Sequence, residues 1–223
     1  MPAPPDHLPA WDVPGAEESP FPAVAAEMAS RLNGDSSGHD LAHSWRVFDL
    51  GRTIAATEGA DPTVVGLASL VHDYHRVVNG TAYVHPEETL DDVAALLADA
   101  SVDDAATVDA VCHCVAVHDD FAYQGDPDRI ETVEAAVLQD ADNLDAIGAV
   151  GIGRTFAFGG DRGFPMWAPG DEEDPSTIGH CYEKLLRIDE ELNTDAAREI
   201  AADRMAFLED FVERFEREWY GER

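Results

Sequence analysis

Between Asp61 and Asp73 the chain reads DPTVVGLASLVHD. Wound as a helix, this segment has Asp61 as its cap and Pro62 at the first helical position. From Thr63 onward, Val64, Val65, Leu67, Ala68, Leu70 and Val71 leave almost no polar face. A helix that is apolar nearly all round must be covered on every side, so it belongs at the centre of the molecule. The rest of the chain reads as helices that can supply the cover. Phe21 to Leu32 forms a short one stopped by Asn33-Gly34. Asp40 to Thr57 forms a longer one closed by Gly59, with Leu41, Trp45, Phe48, Leu50 and Ile54 at helical spacing. Helices are also expected over 86–99, 103–117, 130–158, 176–190 and 194–220, with a loop over 74–85 that holds Asn79-Gly80. The stretch GGDRGFPMWAPGDEED, residues 159–174, is rich in Gly and Pro and reads as a long surface loop. Neither an alternating strand pattern nor a repeat appears. The expected fold is an all-α bundle: one helical domain over 21–223, preceded by a flexible, Pro-rich acidic arm over 1–20.

Charge narrows the partners. The 223 residues carry 46 acidic and 14 basic side chains, a formal net charge of −32, and Lys184 is the one lysine. Such a field repels nucleic-acid phosphates and anionic membranes, which are bound through Lys and Arg. Disorder is argued against by the 45% apolar content and the helical pattern. Calcium loading is argued against by the lack of a twelve-residue loop with alternating acidic ligands. The reading that remains is a halophile's protein, whose acidic surface keeps it hydrated despite screening. No run approaches the roughly 20 apolar residues of a membrane span, and the amino terminus lacks the features of a secretory signal. The expected location is cytoplasmic.

Three cysteines, Cys112, Cys114 and Cys181, do not make a disulfide framework. Cys112-His113-Cys114 raises a zinc site, but one intervening residue is too few for the usual ligand pair and points the two thiols to different helix faces. Buried small thiols are the preferred reading.

The histidines carry more information by position. His39-Asp40 and His43 begin the second helix, and His72-Asp73 ends the apolar one, followed at once by Tyr74, His75 and Arg76. An imidazole and a carboxylate at the end of a buried helix deliver two ligand types to one interior point. A polar helix end capped by solvent is the plain alternative. A third piece tips the balance. Asp140, Asp142 and Asp145 sit in an otherwise apolar helical segment, where carboxylates are costly unless paired or bound to a cation. Asp142 and Asp145 share a face, while Asp140 is turned away from Asp142.

His43, His72-Asp73 and Asp142 together resemble the H…HD…D signature of the HD superfamily of metal-dependent phosphohydrolases. The chain looks most like the branch of small bacterial and archaeal proteins that includes nucleotide pyrophosphatases. The matching text is HDLAHSWRV (39–47), LASLVHDYHR (67–76), QDADNLDAIGAVGIGRTF (139–156) and HCYEKLLRI (180–188). The resemblance spans roughly residues 35 to 218. It implies an HD-domain helical bundle that holds one divalent metal through His43, His72, Asp73 and Asp142, and hydrolyses a nucleotide phosphate or pyrophosphate bond with a metal-activated water. Two imidazoles and two carboxylates suit Mn, Fe, Co, Ni or Zn, with Mn favoured and Mg less so because of the nitrogen ligands. No nucleophile elbow or cysteine beside a clear base competes with that chemistry.

The same resemblance frames the remaining roles. Asp73, His118 and Arg46 are the expected catalytic side chains, with a protonated His118 donating to the leaving oxygen. Arg46, one turn after His43, either orients a ligand or holds phosphate, the alternative being an ordinary ion pair. His75 and Arg76 are expected to border the pocket, and Arg154 and Lys184 to meet substrate phosphates, with a structural salt bridge the alternative for Lys184. Gly148, Gly151 and Gly153 lack the preceding strand of a phosphate loop and read as close helix packing. Trp167, in the long loop, is the tryptophan suspected of covering a substrate. Two other classes stay open: a regulatory HD protein that binds nucleotide or metal without turnover, and a two-iron HD oxygenase using His75, His113 or His118 as extra ligands. The expected partner is a small phosphorylated molecule, a nucleotide first among them. A homodimer would be unsurprising.

Overall fold

The computed structural model describes residues 15–32, 37–78, 84–120, 129–170 and 176–222. The Asn33-Gly34 stop, the Asn79-Gly80 loop and most of the amino-terminal arm lie outside them. The described residues form helices α1 (Phe21–Arg31), α2 (Leu41–Glu58), α3 (Pro62–Val71), α4 (His75–Val78), α5 (Leu90–Asp99), α6 (Ala105–Val117), α7 (Val133–Asp145), α8 (Gly148–Arg162), α9 (Thr177–Glu183) and α10 (Asp195–Trp219). Among the described residues there is no strand.

Short polar side chains set the helix starts, Asp61 among them as the sequence predicts. Asp40, Asp61, Asp104, Thr132, Ser176 and Thr194 each accept a first-turn backbone N–H. Helix α3 is the centre: every residue from Val64 to Val71 is buried, and α1, α2, α6 and α7 pack around it. Each fully buried Val or Leu there contributes about 1.5–3 kcal/mol of transfer free energy, which is why this segment accepts no other position.

Several boundaries differ from expectation. The helix expected over 130–158 is two helices, α7 and α8. Ala146 ends the first, and Gly148, at φ +71°, turns the chain into the second. Helix α8 then runs through Gly159 and Gly160 to Arg162, so the long loop starts only at Gly163, in the left-handed conformation. Two glycines, Gly159 buried and Gly160 exposed, weaken a helix without stopping it. The loop expected from Tyr74 contains α4 and a single 3-10 turn over His72–Tyr74. The helices expected over 86–99 and 176–190 begin and end, respectively, as 3-10 segments at Pro86–Thr89 and Leu185–Glu191.

Helix α7 is anchored from both ends of the chain. The Asp140 carboxylate accepts four hydrogen bonds: from the Asn193 N–H (2.8 Å) and Nδ2 (2.9 Å), and from the Thr194 N–H (2.8 Å) and Oγ (2.6 Å). It is thereby tied to the start of α10. Arg204 of α10 donates to the Leu144 carbonyl at 2.6 Å, serving one of the open carbonyls at the end of α7. On the other side, Gln139 Nε2 donates to the carbonyls of His118 (3.3 Å) and Asp120 (2.6 Å), fixing the end of α6.

Candidate metal centre and cleft

His72 follows directly on α3, and its Nδ1 lies 2.8 Å from the Ser69 carbonyl. A carbonyl only accepts, so Nδ1 carries the proton and Nε2 presents a lone pair. His43, two residues into α2, has Nδ1 at 2.7 Å from Asp145 Oδ2, which directs its Nε2 to the same interior point. The two Nε2 atoms stand 3.1 Å apart. Asp73 Oδ2 lies 3.5 Å from His43 Nε2 and 3.6 Å from His72 Nε2. Asp142 Oδ1 lies 3.3 and 3.9 Å from the same two atoms.

All four expected ligands therefore converge, from α2, the end of α3 and α7; His72 Nε2 and the carboxylate oxygens are acceptors, while burial works against charge on His43 but hydrogen bonds to Asp142 and Asp145 raise its affinity for a proton. A proton on His43, or a cation in its place, reconciles such a set. The spacing fits a cation, since an ion about 2.1 Å from octahedral ligands holds neighbouring ligands about 3 Å apart. Three of the four ligands are buried, whereas Asp142 keeps 26% of its side chain exposed, so the centre opens to one side.

The surroundings hold His72, Asp73 and Asp142 in the states a metal needs. Burial pushes the His72 imidazole down to about 4, which keeps it neutral at pH 7. Burial alone would raise the Asp73 carboxyl, but Arg76, His72 and His39 hold it well below the usual carboxylate range. Arg76 Nε is 2.6 Å from its Oδ1, and His39 Nδ1 is 2.9 Å from its Oδ2. Burial likewise works against Asp142, which His43 and His72 nevertheless keep ionised.

Asp145 is the residue whose importance spacing alone did not reveal. It orients His43 and accepts from Arg46 Nε (2.7 Å), Arg46 NH2 (2.9 Å) and Arg154 NH1 (2.9 Å). Against the effect of burial, His43 and the two arginines hold its carboxyl far below the normal range. A carboxylate behind a metal-facing histidine fixes its tautomer and orientation. Arg46 thus reaches Asp145 rather than the cleft.

The open side leads into a cleft bordered by Asp142, His39, Arg76, Arg154, Lys184, Asn143 and Phe158, among others. Of the expected substrate-binding side chains, Arg76, Arg154 and Lys184 border it; His75 does not. Buried His75 and His118 stand beside Asp73, with ring centroids 5.6 Å apart. His118 donates from Nδ1 to the Val115 carbonyl at 2.7 Å, so its Nε2 is a donor only when the ring is charged. Asp73, His75 and His118 form a further group able to offer three ligand atoms within 4.8 Å of one another. His39 and His180, neither assigned a role from the sequence, also border the cleft.

Other expectations shift. Trp167 packs against Phe215 and Trp219 on α10 and Tyr220 just beyond it, and not over the cleft. Gly151 matches its close-packing role, because a Cβ there would sit 2.2 Å from the Ala146 carbonyl, but Gly153 has nothing within 4 Å. Cys114 and Cys181 are buried, and burial raises their thiols to about 12 and about 11, which excludes a thiolate nucleophile at pH 7.

An all-helical fold that gathers two histidines and two aspartates in the H…HD…D order defines a class, and the comparisons agree with it: the chain belongs to the HD-domain family, whose model matches residues 40–147. It is similar to YpgQ of Bacillus subtilis, 37% identical over 193 residues that make up 86% of this chain and 89% of that one. The crystal structure of YpgQ in complex with ADP superposes with a TM-score of 0.68 at 33% identity, covering 88% of this chain and 98% of that one. An HD-superfamily hydrolase from Bacillus thuringiensis superposes with a TM-score of 0.67 at 31% identity, covering 89% and 96%. No helix among the described residues is long and apolar enough to cross a membrane.

Proposed function

We propose that this protein is a metal-dependent phosphohydrolase that cleaves a phosphate or pyrophosphate bond of a nucleotide. The observation that carries the reading is the meeting of four ligand-type atoms, from His43, His72, Asp73 and Asp142, at the mouth of a cleft bordered by Arg76, Arg154 and Lys184. A bound divalent ion, manganese first, would supply Lewis acidity and a water of lowered pKa. The protein's own groups do the rest. Arg154 and Lys184 take up phosphate charge, as forked and point donors respectively. Arg76 holds the Asp73 carboxylate at 2.6 Å. Arg46 and Asp145 keep His43 aimed at the centre, which makes Arg46 a positioning residue. A charged His118 is the candidate proton donor for the leaving oxygen. The nucleotide part draws on the kinship with YpgQ, which has been crystallised with ADP.

The test is to load the protein with Mn, Co, Ni or Mg at high salt and follow release of phosphate or pyrophosphate from a nucleotide panel. Turnover that disappears in Asp142→Asn and His72→Ala, along with the bound metal, is the expected result. Metal and nucleotide binding without turnover would favour a regulatory HD protein. The Asp73–His75–His118 group supports a second reading, a two-metal centre, with the two-iron oxygenase as its extreme case. Elemental analysis distinguishes one ion per chain from two.

A further inference from the structure

Asn143 follows the expected ligand Asp142 on α7; the residue is 3% exposed and borders the same cleft. Its Nδ2 finds no acceptor within the protein. Buried amide donors are nearly always matched, because leaving one unmatched forfeits its hydration without replacement. The two ends of a carboxamide are almost equal in size, so a half-turn of the group presents either one to the cleft without repacking. The residues that border the cleft with Asn143 include uncharged ones, Ala146, Gly151, Thr155 and Leu185, as well as the cations Arg76, Arg154 and Lys184 and the carboxylates Asp119 and Asp142. A neutral amide donor suits a neutral acceptor better than a phosphate oxygen, which the arginines and lysine already attract.

We propose that Asn143 reads the uncharged part of the substrate, donating to a carbonyl, ring nitrogen or hydroxyl of the nucleoside, and so makes the cleft prefer nucleotides to inorganic polyphosphates. This rests on the phosphohydrolase reading above and assigns the substrate's neutral moiety to a particular side chain. A site built around such a donor discriminates strongly against ligands that leave it unpaired.

The experiment compares wild type with Asn143→Ala and Asn143→Ser, both manganese-loaded and checked for unchanged metal content and helical signal. Two constants are measured: KM for nucleoside triphosphates, and the inhibition constant of inorganic tripolyphosphate. The expected result is a KM raised roughly 10-fold, with kcat and the tripolyphosphate constant unchanged. Parallel weakening of both constants would mean that Asn143 serves the phosphates or the scaffold, and no change in either would mean that it touches no ligand; each overturns the proposal. Failure of the wild type to turn over any nucleotide would instead remove the phosphohydrolase reading beneath it.

Discussion

Asp145 touches no expected substrate, yet more of the centre depends on it than on any other carboxylate outside the ligand set. It holds His43 by Nδ1 and is itself held by Arg46 and Arg154. Replacing it with Asn should weaken metal binding about 10- to 100-fold, read by titration with manganese, while the helical content stays intact. The same substitution has a pH signature. The folded-state pKa of Asp145 lies below the ~3.9 of an exposed Asp, so its contribution to stability is full above about pH 5 and is lost as pH falls through the acid range. Wild type should therefore exceed Asp145→Asn in urea midpoint at pH 7, and the gap should narrow steadily toward pH 2. A gap independent of pH would show that the carboxylate's charge is not what matters.

At the level of helices, the break between α7 and α8 aims the cleft, since it lets Arg154 of α8 turn back onto Asp145 of α7. Gly151 makes the close return possible, because its missing side chain leaves room for the Ala146 carbonyl. Gly151→Ala should cost about 1–3 kcal/mol, as overpacking does, seen as a lowered urea midpoint. It should also loosen phosphate binding by displacing Arg154. This is the part of the fold that the sequence concealed. Residues 130–158 keep helical periodicity straight through the turn, and no proline marks it. By contrast, α3 and its capped start were legible because local chemistry dictates them. The four converging side chains, His43, His72, Asp73 and Asp142, were legible as a spaced, ordered set. Asp145 and His39 were not, because their roles depend on partners far along the chain, such as His43, 102 residues before Asp145, and Asn143 was not, because only the fold shows that it borders the cleft with its amide donor unmatched. Trp167 misled for the same reason: its partners lie on α10, and nothing near it in sequence announces them.

For the molecule as a whole, a net charge of −32 means mutual repulsion that the fold must withstand. Added salt shortens the reach of that repulsion from about 10 Å at 0.1 M to about 3 Å at 1 M. The thermal midpoint should climb over that range of potassium chloride; a flat or falling midpoint would show that the acidic surface does not limit stability. The anchoring of α7 has a consequence at this scale. Asp140 and Asp142 lie two residues apart on a single turn, one gripped by the start of α10 and the other facing the metal centre. That turn acts as a rivet through two plates: peeling the C-terminal helix from the body would twist the Asp142 carboxylate out of line, and an ion seated on the far side would resist the peeling.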